Sequence, residues 1–250
     1  MQYSIGEYSS KAFSRFQLLA GVDEVGRGPL AGPVVACAVV FRKGFELEGL
    51  RDSKKLSPKR RAELCEKILA GAESVNWSFV SEMIIDRLNI YNAARKAMET
   101  AVTGLSITPE SILVDAMHLP AVSIEQTSLV KGDQREPCIM AASIVAKEVR
   151  DKYMKQLGEL HPEYGFEKHM GYGTAKHLSA LREFGVLDCH RRSFKPVMKI
   201  LLNDEEALEK ELCGKSKVEL IDFVKRVKQM NFADNLSSCM NLVNSYLKGR

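Results

Sequence analysis

Four acidic side chains stand where a carboxylate is costly unless it binds a cation or pairs with a base. Asp23 and Glu24 follow the apolar run LLAGV, Asp115 follows ILV, and Asp133 lies in the loop VKGDQR. Carboxylates gathered at neighbouring strand ends repel one another, and a divalent cation relieves that repulsion. Oxygen ligands favour Mg²⁺ or Mn²⁺, and two such ions can activate water for displacement at phosphorus. The residue types are therefore typical of a metal-dependent phosphodiesterase site.

Each acid also has a purely structural interpretation. Asp23 can form a turn, Asp115 can end a strand and Asp133 can lie next to a helix cap, and for any one acid alone that interpretation is favoured. Spacing along the chain does not bring the acids together in space. Adjacent strand residues such as Asp23 and Glu24 point to opposite faces, so both reach one site only if the strand twists or ends there.

The segment Gly26-Arg27-Gly28 directly follows the first two acids. Its glycines can expose backbone N–H groups, and its arginine can offer a guanidinium to a closely approaching ligand. A dinucleotide-binding loop fits poorly because the glycines fall at GxGxxxG and the chain continues as a strand instead of a helix. A tight hairpin with a surface arginine explains the segment equally well.

The net charge of +4 comes from one part of the chain. Residues 126–200 carry 13 basic and 9 acidic side chains, whereas residues 1–125 and 201–250 are balanced. Aromatic and basic residues alternate there in HPEYGFEKHMGYGTAKH and HRRSF. This pattern is typical of a surface for sugar and phosphate, although a solvated charged face above a core of aromatic residues fits as well.

Several classes of protein are excluded by composition. The longest mostly apolar run, residues 28–41, is broken by two prolines and is too short for a bilayer, so we expect no membrane partner. The polar start MQYSIGEYSS lacks the apolar region of a secretory signal. The 6 cysteines form no CxxC or zinc spacing and indicate reduced thiols in the cytoplasm.

The elements that would position these acids alternate between strands and helices. Apolar and alternating patterns predict strands at residues 18–23, 34–41, 73–81 and 112–115. Capping residues and helical spacing predict helices at residues 58–71, 91–105 and 137–157. This order favours an α/β fold with helices packed on a sheet. Residues 203–250 are charged and helical, with a break at Gly214, and we expect them to be an extension of a domain at 1–202.

Eight motifs occur in the order found in bacterial ribonuclease HII, which the chain resembles over about residues 18–198. They are GVDEVGRGPLAGPVV, DSKKLS, RLNIYNA, ILVDA, VKGD, AASIVAKEVRD, YGFEKHMGYGT and HRRSF. One motif would be weak support, whereas eight in sequence are highly specific. The resemblance implies a ribonuclease H-like fold, with a central mixed sheet flanked by helices, and metal-dependent cleavage of the RNA strand of RNA–DNA hybrids and of ribonucleotide-containing DNA.

The resemblance also implies site residues. Asp23, Glu24, Asp115 and Asp133 match the four catalytic, metal-binding carboxylates of the family, with two Mg²⁺ or Mn²⁺ ions in each active site with substrate. Gly26, Arg27 and Gly28 match the turn that recognises the ribose 2′-hydroxyl, and Tyr172 matches the tyrosine that stacks on the next deoxyribose. We expect in-line attack by water to leave a 5′-phosphate and a 3′-hydroxyl.

Other assignments rest on charge and on membership of a motif. The candidate phosphate contacts are Lys54, Lys55, Lys131 and Arg192, for which a solvated surface is the alternative. Met170 replaces the lysine usual in the family, which puts a phosphate contact there in doubt, and Ala116 replaces a glycine. We expect a cytoplasmic monomer. The alternatives are a metal nuclease that cuts DNA structures without reading ribose, and a non-catalytic hybrid-binding protein, against which the four acids argue.

Overall fold

The computed structural model describes residues 6–45, 49–50, 52–230 and 241–243. Their strands are β1 (Leu18–Val25), β2 (Val34–Arg42), β3 (Ser74–Val80), β4 (Ser111–Asp115) and β5 (Glu125–Leu129). The α helices are α1 (Glu7–Arg15), α2 (Pro58–Gly71), α3 (Glu82–Leu88), α4 (Ile90–Thr103), α5 (Pro137–Leu160), α6 (Phe166–His169), α7 (Ala175–Phe184), α8 (Lys195–Leu201), α9 (Glu205–Leu212) and α10 (Lys217–Gln229). Short 3-10 turns cover Ser53–Lys55 and Gly132–Gln134. The chain divides into two compact units, the first formed by residues 1–27 and 33–156 and the second by residues 28–32 and 157–250.

The first unit is built on one mixed five-stranded sheet in the order β3-β2-β1-β4-β5. β1 pairs antiparallel with β2, and β2 with β3, which confirms the hairpin-like start of the sheet. β4 lies parallel to β1 and to β5. The α/β class with a mixed central sheet is confirmed, and all four predicted strands and all three predicted helices form close to their expected bounds.

Helix α5 covers one face of the sheet. Ile139, Ala142 and Val145 of α5 pack in one apolar cluster with Leu19 of β1 and with Val39 of β2. Close approach requires glycine on the strand, because a Cβ on Gly21 would collide with the backbone of Cys138. The sequence therefore sets the start of α5, and the loop before it, directly against the middle of β1.

The opposite side of the hairpin is covered by α4. Ala94, Ala97 and Ala101 of this helix are fully buried. The Ser78 hydroxyl of β3 donates a 2.6 Å hydrogen bond to the carbonyl of Ala97, and the Asn76 amide donates one of 2.9 Å to the carbonyl of Ala101. Small side chains let the helix lie close to the strands that carry the site at the end of β1.

The second unit is helical in its C-terminal part, as expected from the charged tail. Helices α8, α9 and α10 share an apolar cluster that includes Leu201, Leu212 and Phe223. The predicted break occurs at Gly214, where φ is +78°, and α10 then begins with a capping box of Ser216 and Glu219. Residues 231–240 and 244–250 of the predicted extension lie outside the described residues. Within the described ranges, no helix combines the length and the apolar character needed to cross a membrane.

Candidate active site

Three of the four predicted carboxylates converge at the end of β1. Asp23, Glu24 and Asp115 each offer an oxygen, and these oxygens lie within 4.8 Å of one another. The ladder between β1 and β4 ends at the pair Val22 and Val114, while β1 continues to Val25 along β2 alone. The two strands thus separate at the acids, which explains how adjacent residues of one strand both reach the cluster.

Burial and mutual repulsion dominate the electrostatics of this cluster. Burial, together with the charges of Glu24 and Asp115, raises the pKa of Asp23 well above its usual value. Burial raises the pKa of Glu24 to about 7, although Arg27, whose Nη1 lies 3.3 Å from Oε1 of Glu24, opposes the shift. Burial and the charge of Asp133 also raise the pKa of Asp115. The ionised cluster is therefore destabilised in the absence of positive charge.

Asp133 is buried in the short turn before α5, close enough to add to the repulsion felt by Asp23 and Asp115. Its Oδ2 lies 3.2 Å from Nζ of Lys54, and this lysine is itself mostly exposed. The structure thus brings the fourth acid beside the other three but pairs it with an ammonium group from the DSKKLS segment. Sequence spacing gave no sign of this contact across 79 residues.

A pair of buried serines next to Asp23 was not predicted as part of the site. The Ser143 hydroxyl on α5 hydrogen bonds to the Asp23 carboxylate, and it lies 2.9 Å from the hydroxyl of Ser53. Ser53 belongs to the motif DSKKLS and Ser143 to the motif AASIVAKEVRD, both of which support the family resemblance. Membership of these motifs was the sequence signal that could have pointed to the two serines. They help to orient the Asp23 carboxylate, whose Oδ1 also accepts a 2.7 Å hydrogen bond from the Glu24 amide.

The turn after the acids is held from the first unit by a buried arginine. Gly26 has φ +92°, a conformation that favours glycine, and a Cβ there would collide with the Arg150 side chain and approach the Pro33 carbonyl oxygen to 2.9 Å. Nε of Arg150 donates a 3.0 Å hydrogen bond to that same carbonyl. Arg27 is exposed beside Glu24. The glycine is therefore required by the geometry of the turn.

Gly28 and Tyr172, the other two residues predicted to contact sugars, lie together in the second unit. A Cβ on Gly28 would stand 3.4 Å from Cε1 of the Tyr172 ring, which is 46% exposed. The amide of Leu30 donates a 2.8 Å hydrogen bond to the carbonyl of Gly171, and the buried guanidinium of Arg191 donates to the carbonyl of Gly32. The short segment 28–32 is thereby fixed beside an aromatic face open to solvent.

Two aromatic residues of the basic stretch differ from Tyr172 in their burial. Tyr164 and Phe166 are fully buried and stack with ring centroids 5.4 Å apart, so they belong to the core as the alternative interpretation held. Tyr172 differs because its ring remains exposed.

The candidate phosphate contacts also differ from one another. Lys131 is exposed and adopts φ +58°, whereas Arg192 forms ion pairs with Asp188 at 2.8 Å and Glu211 at 3.1 Å. The side chain of Lys55 lies outside the described residues. The two replacements relative to the family pattern, Ala116 with φ +52° and Met170 with φ +51°, both adopt a left-handed backbone.

The donor set fits a hard divalent cation. The converging atoms are carboxylate oxygens with no thiol or imidazole among the three, and burial raises the pKa of each acid despite the nearby charges of Arg27 and Lys54. Hard cations such as Mg²⁺ and Mn²⁺ prefer this type of ligand.

Comparison with known proteins places the chain in a family. The family model for ribonuclease HII matches residues 20–197. The ribonuclease HII of Bacillus cytotoxicus is 52% identical over 185 residues, which are 74% of this chain and 71% of that protein. The ribonuclease HII of Lactobacillus gasseri is 53% identical over 190 residues, 76% of each chain.

Solved structures agree. The ribonuclease H2 of Pyrococcus horikoshii superposes with a TM-score of 0.66 at 26% identity, covering 73% of this chain and 96% of that one. Bst-RNase HIII, solved in complex with Mn²⁺, shares the fold with a TM-score of 0.57 at 19% identity, covering 78% of this chain and 73% of that one. The expected ribonuclease H-like fold is confirmed. The chain belongs to the ribonuclease HII family and is a type 2 ribonuclease H.

Proposed function

We propose that the four carboxylates hold divalent cations. With these cations bound, the enzyme hydrolyses the phosphodiester on the RNA strand of hybrids and at single ribonucleotides in duplex DNA. The observation that carries this proposal is the convergence of Asp23, Glu24 and Asp115 within 4.8 Å at the end of one strand. When bound, Mg²⁺ or Mn²⁺ would lower the pKa of the attacking water and stabilise the leaving oxygen. Bst-RNase HIII, which shares the fold, was solved with Mn²⁺.

The carboxylates supply ligands, and their neighbours keep those ligands in place. Ser143 orients Asp23, and the Gly132 amide donates a 2.7 Å hydrogen bond to Oδ1 of Asp115. Attack of water on phosphorus in line with the P–O3′ bond breaks that bond and leaves a 5′-phosphate and a 3′-hydroxyl. With two cations per site, the role of Asp133 is to complete the ligand set once Lys54 gives up its contact.

Two sets of groups recognise two adjacent sugars. In the first unit, Gly26 and Arg27 present a turn whose glycine backbone allows close approach to a 2′-hydroxyl, the group that distinguishes RNA from DNA. Gly28, the third residue of that turn, shares the same role. In the second unit, the exposed ring of Tyr172 offers a flat apolar face to the next sugar. An extra hydroxyl on that sugar would be disfavoured against the ring, which favours deoxyribose there.

Four basic side chains are proposed to contact phosphate. Lys54 and Lys131 are exposed cations beside the buried acids and are the better supported pair. Arg192 and Lys55 are kept as contacts, although Arg192 already pairs with two acids. Together these cations give the salt-dependent part of the binding free energy.

The chain organisation is proposed as a catalytic part at residues 1–202 and a helical extension at residues 203–250. The end of the family match at residue 197 supports this boundary. We further propose a monomer in a reduced cytoplasm; the reduced compartment fits the finding that no disulfide joins the five cysteines that the structure describes. Truncation at Asn203 tests the extension, and unchanged stability, affinity and activity would remove any role for it.

The test of the site compares three variants on a duplex with one embedded ribonucleotide. Asp23→Asn and Asp115→Asn should lose cleavage by at least about 100-fold while binding to the duplex stays close to wild type. Asp222→Asn, at an exposed carboxylate on α10, is the matched control and should cleave normally. Retained Mg²⁺- or Mn²⁺-dependent cleavage in both site variants would refute the assignment.

A further inference from the structure

Two buried histidines in the second unit contact each other through their ring nitrogens. Nε2 of His177 lies 3.1 Å from Nε2 of His190, and both side chains are almost completely inaccessible to solvent. His177 lies in the first turn of α7, where the Thr174 side chain caps the helix by accepting a hydrogen bond from its amide. His190 forms an isolated β-bridge with Ala31. Neither histidine belongs to the carboxylate site or to the proposed ribose contacts.

The outer partners of the pair fix both tautomers. Nδ1 of His190 accepts a 2.9 Å hydrogen bond from the amide of Leu187, so that nitrogen carries no proton and the proton lies on Nε2. This Nε2–H donates to Nε2 of His177, which must therefore be an acceptor. The proton of His177 then lies on Nδ1, 3.0 Å from the carbonyl oxygen of Tyr172, which can only accept. One arrangement of protons satisfies the whole chain from Leu187 to Tyr172.

The surroundings keep both rings neutral. Burial lowers the pKa of His177 to about 4 and, aided by His177, the pKa of His190 to about 3. The other titratable groups that face the pair are His169, stacked on His177 with centroids 4.6 Å apart, and Cys189, His161 and Arg192 around His190. The rings of Tyr164 and Phe166 close the remaining sides.

The histidine pair is hydrogen bonded to the backbone of the exposed Tyr172. The Tyr172 carbonyl accepts from Nδ1 of His177 and, at 2.8 Å, from the amide of Thr174, while the Tyr172 amide donates a 2.9 Å hydrogen bond to the carbonyl of His169. Both polar groups of the Tyr172 backbone are thus satisfied, the carbonyl in part by the buried His177, although the ring itself lies in solvent against Gly28. A ring held only by its own rotamer would not be fixed in this way.

We propose that His177 and His190 are positioning residues for substrate recognition: as a neutral, tautomer-locked pair, they fix the backbone of Tyr172 so that its ring faces the deoxyribose beside the ribonucleotide. This inference rests on the role proposed above for Tyr172. The segment that bears His190 also pairs with the segment that follows Gly28, through the bridge to Ala31 and the hydrogen bond from the Arg191 amide to the Leu30 carbonyl. The pair therefore links the two sides of one recognition surface within the second unit.

The first experiment examines the protons directly. In the full chain with ¹⁵N-labelled histidine at pH 7, long-range ¹⁵N–¹H spectra should assign His190 as the Nε2–H tautomer and His177 as the Nδ1–H tautomer. His118, which is exposed, serves as the reference for a ring in solvent. An imidazolium in the pair, or the reverse tautomer at either ring, would overturn the proposal.

The second experiment is a double-mutant cycle on KM, kcat and the preference for a ribonucleotide over an all-DNA duplex. Tyr172→Ala should raise KM by about 5- to 150-fold, the range for loss of an aromatic stacking contact. His177→Leu should give a similar increase, and His177→Leu/Tyr172→Ala should match Tyr172→Ala within about twofold, because both changes remove the same contact. His177→Asn keeps an N–H near the Nδ1 position and should recover most of the loss, while His118→Leu should resemble wild type.

The outcomes separate the two proposals. Normal KM and ribose preference in Tyr172→Ala would refute the role of Tyr172. A strong effect of Tyr172→Ala combined with a fully additive effect of His177→Leu would refute the positioning role alone. If His177→Leu fails to fold, the cycle is run with His190→Asn, whose shorter side chain cannot reach Nε2 of His177, and full additivity with Tyr172→Ala would overturn the inference.

Discussion

The Gly132 amide donates a 2.7 Å hydrogen bond to Oδ1 of Asp115, which fastens the loop carrying Asp133 to the strand end carrying Asp115. Gly132 has little room for a side chain, since a Cβ would lie 2.5 Å from Cδ1 of Ile139 and 3.4 Å from that same Oδ1. Two carboxylates far apart in sequence therefore depend on one peptide group for their relative position. A small displacement of this loop should therefore move both carboxylates.

Gly132→Ala tests this dependence. The added methyl group meets the end of the buried Ile139 side chain, so either that side chain or the loop must move. We expect the loop to move, which lengthens the hydrogen bond to Asp115 and displaces Asp133. We expect cleavage to fall by about 10- to 100-fold, as misplacement of reacting groups predicts. Steady-state kinetics on a single-ribonucleotide duplex, with duplex affinity measured in parallel, checks the prediction. Cleavage within twofold of wild type would show that the loop position is not critical.

Glu24 predicts a pH dependence of stability in EDTA. Its pKa is raised from 4.5 to about 7 by burial, so between these values the folded chain binds more protons than the unfolded chain. The free energy of unfolding should therefore fall as pH rises from about 4.5 to 7. Urea unfolding across this range measures it.

Glu24→Gln removes the titrating group and supplies the control. The variant should lose the part of that pH dependence that comes from Glu24, while Asp23 and Asp115, whose pKa values are also raised, keep a slope of the same sign. At pH 8 in EDTA it should be more stable than wild type. Addition of Mg²⁺ should stabilise wild type more than the variant, because a ligand that binds only the folded state adds to stability. A wild-type curve that is flat between pH 4.5 and 7 would argue against a buried, destabilised carboxylate at this position.

The two glycines of the turn should respond differently to alanine. Gly26→Ala places a Cβ at φ +92° against Arg150 and should cost about 1–3 kcal/mol of stability. Gly28→Ala meets only the edge of Tyr172, at 3.4 Å, and should fold normally but bind the ribonucleotide duplex more weakly. Thermal unfolding and duplex binding of both variants separate the effects. Equal losses of stability would contradict this distinction.

Ala116 carries a backbone cost that glycine would not. Its φ of +52° lies in the left-handed region, which costs a residue with a Cβ about 1–2 kcal/mol. Ala116→Gly should therefore raise stability by roughly 0.5–1 kcal/mol after the larger chain entropy of glycine is counted. Cleavage should be unchanged because Asp115 keeps its hydrogen bond to Gly132. A lower melting temperature would mean that the side chain contributes packing.

Strong local patterns predicted most of the fold. The apolar runs of β1, β2 and β4, and the Ser57 cap with Pro58 of α2, are signals that need no partner. β5 has the polar sequence EQTSL and could not be recognised, because it is a strand only by pairing with β4. Helix α1 was missed for a similar reason. Its Ser9 amide and hydroxyl bind the buried Glu136 carboxylate 127 residues away.

The site was predicted in its residue types but not in its geometry. Acids at strand ends pointed to Asp23, Glu24 and Asp115, the loop VKGDQR pointed to Asp133, and the order of motifs then matched all four to the carboxylates of the family. None of these signals could reveal that the β1–β4 ladder ends just before the acids or that Lys54 pairs with Asp133. The neutral histidine pair was beyond sequence reasoning, since burial and tautomer depend on contacts between α7 and the segment around His190.

The central claim is that this chain reads a ribose and cuts beside it with carboxylate-held cations. The most direct test maps cleavage positions and end groups on matched duplexes with one ribonucleotide, with an RNA tract and with DNA only, each with Mg²⁺, Mn²⁺ or EDTA. We predict 3′-hydroxyl and 5′-phosphate ends at the ribonucleotide and in the RNA tract, only with metal, and an intact DNA duplex. Cleavage of the DNA duplex, or cleavage of any duplex in EDTA, would contradict the account.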